Sequence, residues 1–289
     1  MNQLNCAVTG SSGYVGKHIV NALRQQGYIT YELGRLQKGA QLEKFFLKFD
    51  LNSTEMPNLQ NIDVLIHCAY DFSADTISKS KKINLEGSLR LLQHAKKSGI
   101  KRIILISSLS AFEKAKSVYG KTKLFLEKQA RTLDVTIVRP GLIFGQNTQG
   151  IVGAMQKFIK KFPVVPLIGD GKQEFYPCYI VDLCHLISYL SITDAVYEKP
   201  IIAATKKAVT FRDLIKILAQ TKNKKVILIP IPFSLIWLGL KFFEMLPINI
   251  GLRSDSLIGA QFYDKNTNFS NLSALENIHF SAMNAALFE

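Results

Sequence analysis

Tyr119 and Lys123 are the residues whose types and spacing point most directly to chemistry. Four apart on a helix, their side chains share one face. A free phenol ionises near pH ~10 and is a poor proton donor or acceptor at neutral pH. A lysine ammonium beside it favours phenolate, so the spacing predicts a tyrosine whose pKa is drawn down toward the working range. Ser107, Ser108 and Ser110 follow the apolar run Arg102 to Ile106. Hydroxyls at the C-terminal end of a buried strand lie where ligands bind in open α/β sheets. A serine there can hydrogen-bond the same substrate oxygen that the tyrosine serves. Tyrosine and lysine at this spacing also occur by chance on helix surfaces, and the pair gains its weight from a second motif.

That motif is Thr9-Gly10-Ser11-Ser12-Gly13-Tyr14-Val15-Gly16, which follows the apolar run Leu4 to Val8 and leads into an amphipathic segment with Ile19, Ala22 and Leu23. Strand, glycine turn and helix in that order form the setting of a nucleotide-binding fingerprint. Glycines let the backbone turn sharply and approach a pyrophosphate, and the free N–H groups of the helix N-terminus supply positive potential. The spacing is G-x-x-G-x-x-G, so the turn alone is a weak signal. The next strand, Tyr28 to Leu33, ends at Gly34-Arg35. A carboxylate at that place recognises a ribose 2′-hydroxyl, whereas a guanidinium suits a 2′-phosphate. The chain has arginine, which favours NADP(H), with NAD(H) as the alternative because Glu32 lies close by.

The elements that must hold these groups read as an α/β chain. After the first helix, which stops at Gly27, come strands at Tyr28–Leu33, Phe45–Phe49 and Asp63–His67. The second of these, the third strand of the chain, runs into Asp50-Leu51. The fourth strand of the chain, nearly all apolar as a strand covered on both faces should be, ends at His67-Cys68-Ala69-Tyr70. His67 reads as a packed strand-end residue. A helix over Lys81–Ser98 carries Asn84, a strand follows at Arg102–Ile106, and Ser117 can cap the Tyr119 helix. A sixth strand at Asp134–Arg139 closes on Pro140-Gly141. This alternation predicts a doubly wound parallel sheet. The reading places a Rossmann domain at residues 1–145, to which later elements can return. A smaller substrate-binding domain occupies 146–289, with helices near Val181–Leu190, Phe211–Gln220 and Phe233–Leu246 and a strand at Lys225–Ile229.

Composition narrows the classes. Lys+Arg 36 against Asp+Glu 22 gives a net charge of +14 in 289 residues. The lysines are spread along the chain, with no basic run interleaved with aromatics of the kind that binds single strands, which argues against nucleic acid. The cysteines Cys6, Cys68, Cys178 and Cys184 form no C-x-x-C and read as free thiols in a reducing compartment, with no metal site. Met1 leads almost directly into the first strand, and the expected location is cytoplasmic. The most apolar stretch, Ile229 to Ile250, is broken by Pro230, Pro232, Lys241, Glu244 and Pro247, too interrupted to span a bilayer. Its segment 232–247 is expected to be a buried helix over the substrate cleft, the alternative being peripheral contact with a membrane.

Together these motifs resemble the short-chain dehydrogenase/reductases, specifically the extended group of NAD-dependent epimerases and dehydratases. T-G-S-S-G-Y-V-G resembles its glycine turn, D-V-L-I-H-C-A its strand-four motif, and Asn84 its helix asparagine. Ile106-Ser107-Ser108 resembles its strand-five motif, Y-G-K-T-K its tyrosine–lysine pair, and V-R-P-G-L-I-F-G the segment where Pro140 to Ile143 pass the nicotinamide. P-L-I-G-D-G and Y-I-V-D-L resemble its C-terminal half. The resemblance implies catalytic roles for Ser108, Tyr119 and Lys123, with Ser110 as a reserve hydroxyl. It implies cofactor contacts from Gly10, Ser12, Gly13, Tyr14, Val15, Gly16, Arg35, Asp50, Leu51, Cys68, Ala69, Tyr70, Asn84, Tyr119, Lys123, Pro140 and Ile143. It also implies a monomer or a homodimer packed through the Tyr119 helix. Three departures bear on the substrate. Leu109-Ser110 stand where dehydratases of the group carry an acid pair. No acid ends strand two, where its epimerases hold NAD. The interval from Ser108 to Tyr119 is short, so the loop over the pocket should be compact.

The leading expectation is an NAD(P)-dependent oxidoreductase acting on a secondary alcohol or ketone. A nucleotide-sugar epimerase or 4-ketoreductase is the alternative, for which the basic charge and Arg253 suit a phosphate-bearing substrate. A non-catalytic nucleotide-binding protein is a third reading, against which the intact serine, tyrosine and lysine argue.

Overall fold

The computed structural model describes residues 3–35, 44–195, 197–245, 252–275 and 277–288. The first half alternates strand and helix: β1 Asn5–Thr9, α1 Tyr14–Gln25, β2 Ile29–Gly34, β3 Phe46–Lys48 and β4 Val64–His67. Next come α2 Ile77–Ser80, α3 Glu86–Lys97, β5 Arg102–Ile106, α4 Val118–Ala130 and β6 Thr136–Pro140. The second half contains β7 Leu142–Phe144, α5 Gly150–Lys161, β8 Val164–Ile168, β9 Glu174–Phe175, β10 Pro177–Tyr179 and α6 Ile180–Ile192. It continues through β11 Ile201–Ala203, β12 Val209–Thr210, α7 Phe211–Gln220, β13 Ile227–Ile231, α8 Phe233–Glu244, α9 Ser254–Gln261 and α10 Ser270–Ser273.

Seven strands form one parallel sheet in the order β11-β6-β5-β4-β1-β2-β3. The two-residue period of each strand sends its side chains into two cores. Cys6 and Val8 of β1 join Ile19 and Leu23 of α1 and Leu186 and Ile187 of α6 on one face. Ala7 of β1 faces the other side, with Leu91 and Leu92 of α3 and Leu126 of α4. Burying both faces requires the near-continuous apolar strands seen here, such as Val64-Leu65-Ile66. A third core joins α5, α7 and β8 to Leu240 of α8 and Leu257 of α9.

Several expected boundaries shift. The chain returns to the sheet late, through α6 and β11, which pairs β11 with β6 as an edge strand that its three residues alone did not reveal. The helix expected over Lys81–Ser98 begins at Ile77 and passes through a π-helical turn at Lys81–Leu85. Such turns insert one residue into the helix and re-aim side chains, here turning Asn84 inward. The strand expected from Asp134 starts at Thr136, because Asp134 takes a left-handed conformation (φ 49°) that ends a short 3₁₀ turn. The strand expected at Lys225–Ile229 lies at Ile227–Ile231, paired with β8.

The segment 232–247 departs most from expectation. Its helix α8 forms, but only Leu240 of it is buried, while Leu235, Leu238 and Phe242 are each 60% exposed. One face of the helix packs through Phe233, Ile236, Trp237 and Leu240, and the opposite, equally apolar face is left outside. Leu246 and Pro247 lie outside the described residues. Among the described residues no helix is long and apolar enough to cross a membrane.

Candidate active site

A cleft of about 690 Å³ opens at the carboxyl ends of the sheet strands, between the glycine turn and α9. Its floor is the turn between β1 and α1. Gly10 takes a left-handed conformation (φ +66°), and a side chain there would also meet the Ala69 backbone at 3.0 Å. Only glycine satisfies both conditions. A Cβ on Gly16 would lie 2.2 Å from the Gly10 carbonyl oxygen, so the turn cannot tighten this far with any larger residue. Gly13 precedes α1 without a side-chain cap, and no acid lies in the first helical turn. The amides of Tyr14, Val15 and Gly16 are thus left for an anion, which the helix N-terminus favours. The residues present fit the pyrophosphate of a dinucleotide.

Thr9 joins this turn to the end of β4. Its Oγ1 accepts from the amides of Cys68 (3.0 Å) and Ala69 (3.1 Å) and pairs with His67 Nδ1 at 2.8 Å. His67 Nε2 in turn pairs with Ser88 at 2.8 Å. Burial, with the Lys123 charge adding to it, pushes the His67 pKa down to about 3, so the ring is neutral and structural.

One end of the cleft is lined by Leu33, Gly34, Arg35, Asp50 and Leu51. Glu32 points away from it and pairs with Arg24 of α1 at 3.0 Å. The alternation of β2 therefore turns Glu32 out of the cleft and leaves exposed Arg35 at the mouth, with Asp50 lining the same end. Asp71 lies near enough to feel this charge. Hydrogen bonding from Ser73 holds its carboxyl below the usual range, with smaller contributions from Arg35 and Arg253.

At the opposite end stand Ser108, Tyr119 and Lys123, all lining the cleft. Lys123 is buried and its Nζ donates to the Ile106 carbonyl at 2.7 Å. Burial lowers its pKa to about 8. The Nζ lies 5.9 Å from the Tyr119 ring centroid and 5.5 Å from that of Tyr70. Tyr119 contradicts the expected lowering of its pKa. Burial pushes its phenol well above the ordinary range, and the Ser108 hydroxyl only partly offsets this. Tyr70 and Glu127 add to the rise, and the phenol would ionise only at a pH where Lys123, its own pKa about 8, has already lost its charge. Ser108 Oγ accepts from the Ser110 amide at 3.1 Å, which leaves its own proton free to donate.

Aromatic rings wall this end. Tyr70 meets Tyr119 edge-on at 4.9 Å, and Phe72 stacks on Tyr119 at 5.6 Å with planes 22° apart. Phe72 is 52% exposed at the rim, and the Arg253 guanidinium lies 6.0 Å above its ring. Ser110 and Arg253 both line the cleft, as do the other expected contacts of the glycine turn, Cys68, Ala69, Tyr70, Pro140 and Ile143. Asn84 is the exception. It is 2% exposed and outside the cleft. Its amide instead clasps the Asp71 backbone, accepting from the amide at 2.6 Å and donating to the carbonyl at 3.0 Å. The π-turn that aims it inward makes it the anchor of the Tyr70–Phe72 wall.

Two features were not anticipated from sequence. Asp255, at the start of α9, accepts from the amides of Val118 (2.7 Å) and Tyr119 (3.1 Å), capping α4 from another helix while Ser117 caps it locally at Gly120 (3.1 Å). Behind Lys123, fully buried Glu127 pairs with Arg139 of β6 (2.6 Å) and accepts from Ser107, the residue after β5, at 2.5 Å, locking α4 to the sheet. Only the fold brings these partners together, and a carboxylate four residues beyond the lysine was the sole local hint of the second.

An open parallel sheet with reversed strand order at β1/β4, a glycine turn at that switch point and a ligand-sized cleft above it define the dinucleotide-binding class of α/β proteins. Residues 6–198, well over half of the chain, match the family model described as the NAD dependent epimerase/dehydratase family, and the chain belongs to that family. Among curated relatives, a ceramide reductase of Caulobacter vibrioides is 31% identical over 172 residues, covering 57% of this chain and 54% of the relative. A UDP-glucose 4-epimerase of Vibrio cholerae is 26% identical over 185 residues, with 53% and 56% covered. A sterol-4-alpha-carboxylate 3-dehydrogenase (decarboxylating) of Bos taurus is 25% identical over 209 residues, with 62% and 58% covered. The chain thus spans little more than half the length of the curated relatives it matches. Among solved structures, MoeE5 in complex with UDP-glucuronic acid and NAD superposes with a TM-score of 0.68 at 19% identity, covering 79% of this chain and 85% of that one. A UDP-glucose 4-epimerase of Thermotoga maritima gives 0.63 at 22% identity, covering 79% and 86%. These likenesses establish the shared fold.

Proposed function

We propose that the chain is an NAD(P)-dependent oxidoreductase that interconverts a ketone and a secondary alcohol, with reduction by NADPH favoured. The observation that carries the reading is a protonated Tyr119, flanked by Ser108 and Lys123, facing an open phosphate cradle across one cleft. A bound nicotinamide dinucleotide would supply or accept the hydride. The chain's own residues would do the rest. The amides of Tyr14 to Gly16 hold the pyrophosphate, and Arg35 receives a 2′-phosphate that a carboxylate would repel. Tyr119, held neutral by burial, has a proton to give to the carbonyl oxygen. Ser108 donates to the same oxygen and stabilises the charge that develops on it. Lys123, placed one helical turn from Tyr119, offers its ammonium to the ribose and to the forming phenolate. Elements of the C-terminal half, chiefly α9 with Arg253 and the facing Phe72, select the substrate. Four free thiols fit a reducing, cytoplasmic setting.

A nucleotide-sugar epimerase draws support from one observation, the guanidinium of Arg253 at the substrate end of the cleft. The two readings part in one experiment. The purified chain is supplied with NADPH or NADH and a panel of ketones and nucleotide sugars. Net consumption of NADPH supports the reductase. Conversion of a nucleotide sugar on tightly held NAD, with no net consumption, supports the epimerase.

A further inference from the structure

The apolar outer face of α8 has no place in the chemistry above. Leu235, Leu238 and Phe242 are each 60% exposed, and Met245, one turn on, is 84% exposed. At 100° per residue these four lie within one narrow stripe, opposite the stripe of Phe233, Ile236 and Leu240 that packs on the core. A helix apolar on both faces is half-buried in its own fold and needs a second apolar medium outside. The strand that leads into it through Pro232 continues the pattern. In β13, Ile227 is 63% and Ile229 44% exposed, and Val164 of its partner β8, paired with Ile227, is 40% exposed beside Phe162 at 49%.

Charge identifies the medium. Residues 151–168 and 221–245, which carry these elements, contain Lys157, Lys160, Lys161, Lys222, Lys224, Lys225 and Lys241 against one acid, Glu244, which is paired with Lys241 at 3.1 Å and with Ser254. Lys224 Nζ donates to the Lys160 carbonyl at 2.5 Å, so the two lysine groups lie at one end of the β8/β13 ribbon. A second copy of the chain would set this cationic fringe against itself, since a two-fold interface joins identical patches. An apolar face fringed by lysines, its one acid already paired, suits a surface that is apolar within and anionic at its edge.

We propose that α8, with the adjoining β8/β13 ribbon, docks the protein on an anionic lipid bilayer. Leu235, Leu238, Phe242 and Met245 enter the acyl boundary and the ribbon lysines meet the headgroups. The dock is tied to the cleft. The Glu244 carboxylate at the end of α8 accepts from the Ser254 amide (2.7 Å) and hydroxyl (2.9 Å), and Asp255 next to it caps the Tyr119 helix. Binding therefore sets the cleft wall directly beside the membrane surface.

Co-sedimentation of the full chain with vesicles tests this without any activity readout. Wild type is expected to pellet with mixed phosphatidylglycerol–phosphatidylcholine vesicles, less with pure phosphatidylcholine, and less as salt is added. The double variant Leu235→Asp/Leu238→Asp should lose binding by roughly tenfold or more, since each leucine withdrawn from an apolar phase costs more than a tenfold factor. The variant Lys222→Glu/Lys225→Glu leaves the Lys224 hydrogen bond in place, alters only exposed charge and should abolish the preference for phosphatidylglycerol. Circular dichroism checks that both variants stay folded. Failure of wild type to pellet with either vesicle, or binding untouched by both variants, overturns the proposal. Self-association removed by the leucine variant in the absence of vesicle binding assigns the face to a second copy instead.

Discussion

Replacing Lys123 by methionine should make the protein more stable and inactive at once. Burial lowers the lysine pKa from 10.5 to about 8. At about 1.36 kcal/mol per pKa unit, the folded state carries a cost of about 3 kcal/mol for holding the ammonium in place. Methionine of similar length removes that cost but leaves the Ile106 carbonyl without its donor, a loss of about 1 kcal/mol. The net expectation is a gain of about 2 kcal/mol near neutral pH. Its pH dependence is the sharper feature. Below about pH 8 the ammonium is charged in folded and unfolded chains alike, and the full cost is present. Between about 8 and 10.5 the folded chain releases the proton while the unfolded chain keeps it, so wild-type stability rises across that window and the variant's does not. Urea unfolding of both proteins near pH ~7 and near pH ~10 should show the advantage of the variant shrinking toward zero at the higher value. A variant less stable than wild type at neutral pH, or a difference that ignores pH, would refute the reasoning.

Two further outcomes follow from the site. Asp255→Ala removes both acceptors at the start of α4 and should cost about 1–2 kcal/mol of stability, with faster hydrogen exchange at the Val118 and Tyr119 amides; unchanged exchange there would contradict the cap. Arg35→Ser should weaken NADPH binding by roughly tenfold or more while leaving NADH nearly untouched, measured by fluorescence titration; equal losses for both would remove Arg35 from 2′-phosphate recognition.

Local chemistry made the dinucleotide half of the fold legible. Apolar runs such as Val64-Leu65-Ile66, bounded by glycine and polar residues, mark strands buried on both faces, and helical spacing puts Tyr119 and Lys123 on one face. What stayed hidden depends on partners distant in the chain. Asn84 read as a cofactor contact because its role is decided by a π-turn that no local pattern announces. Asp255 caps a helix 137 residues away in sequence. The tyrosine pKa moved opposite to expectation because proximity of a cation is visible in spacing, whereas the depth of burial that weakens it is not. The α8 segment read as core because its composition is that of a core, and only packing reveals that one of its apolar faces is exposed among the described residues.

The central claim is that Tyr119 passes the proton that accompanies hydride transfer. The direct measurement is turnover and NADPH affinity of Tyr119→Phe beside wild type. The predicted result is a fall in kcat of roughly 10²–10⁴-fold with cofactor affinity retained, since the variant loses only the hydroxyl that a general acid needs. Full turnover in Tyr119→Phe would contradict it.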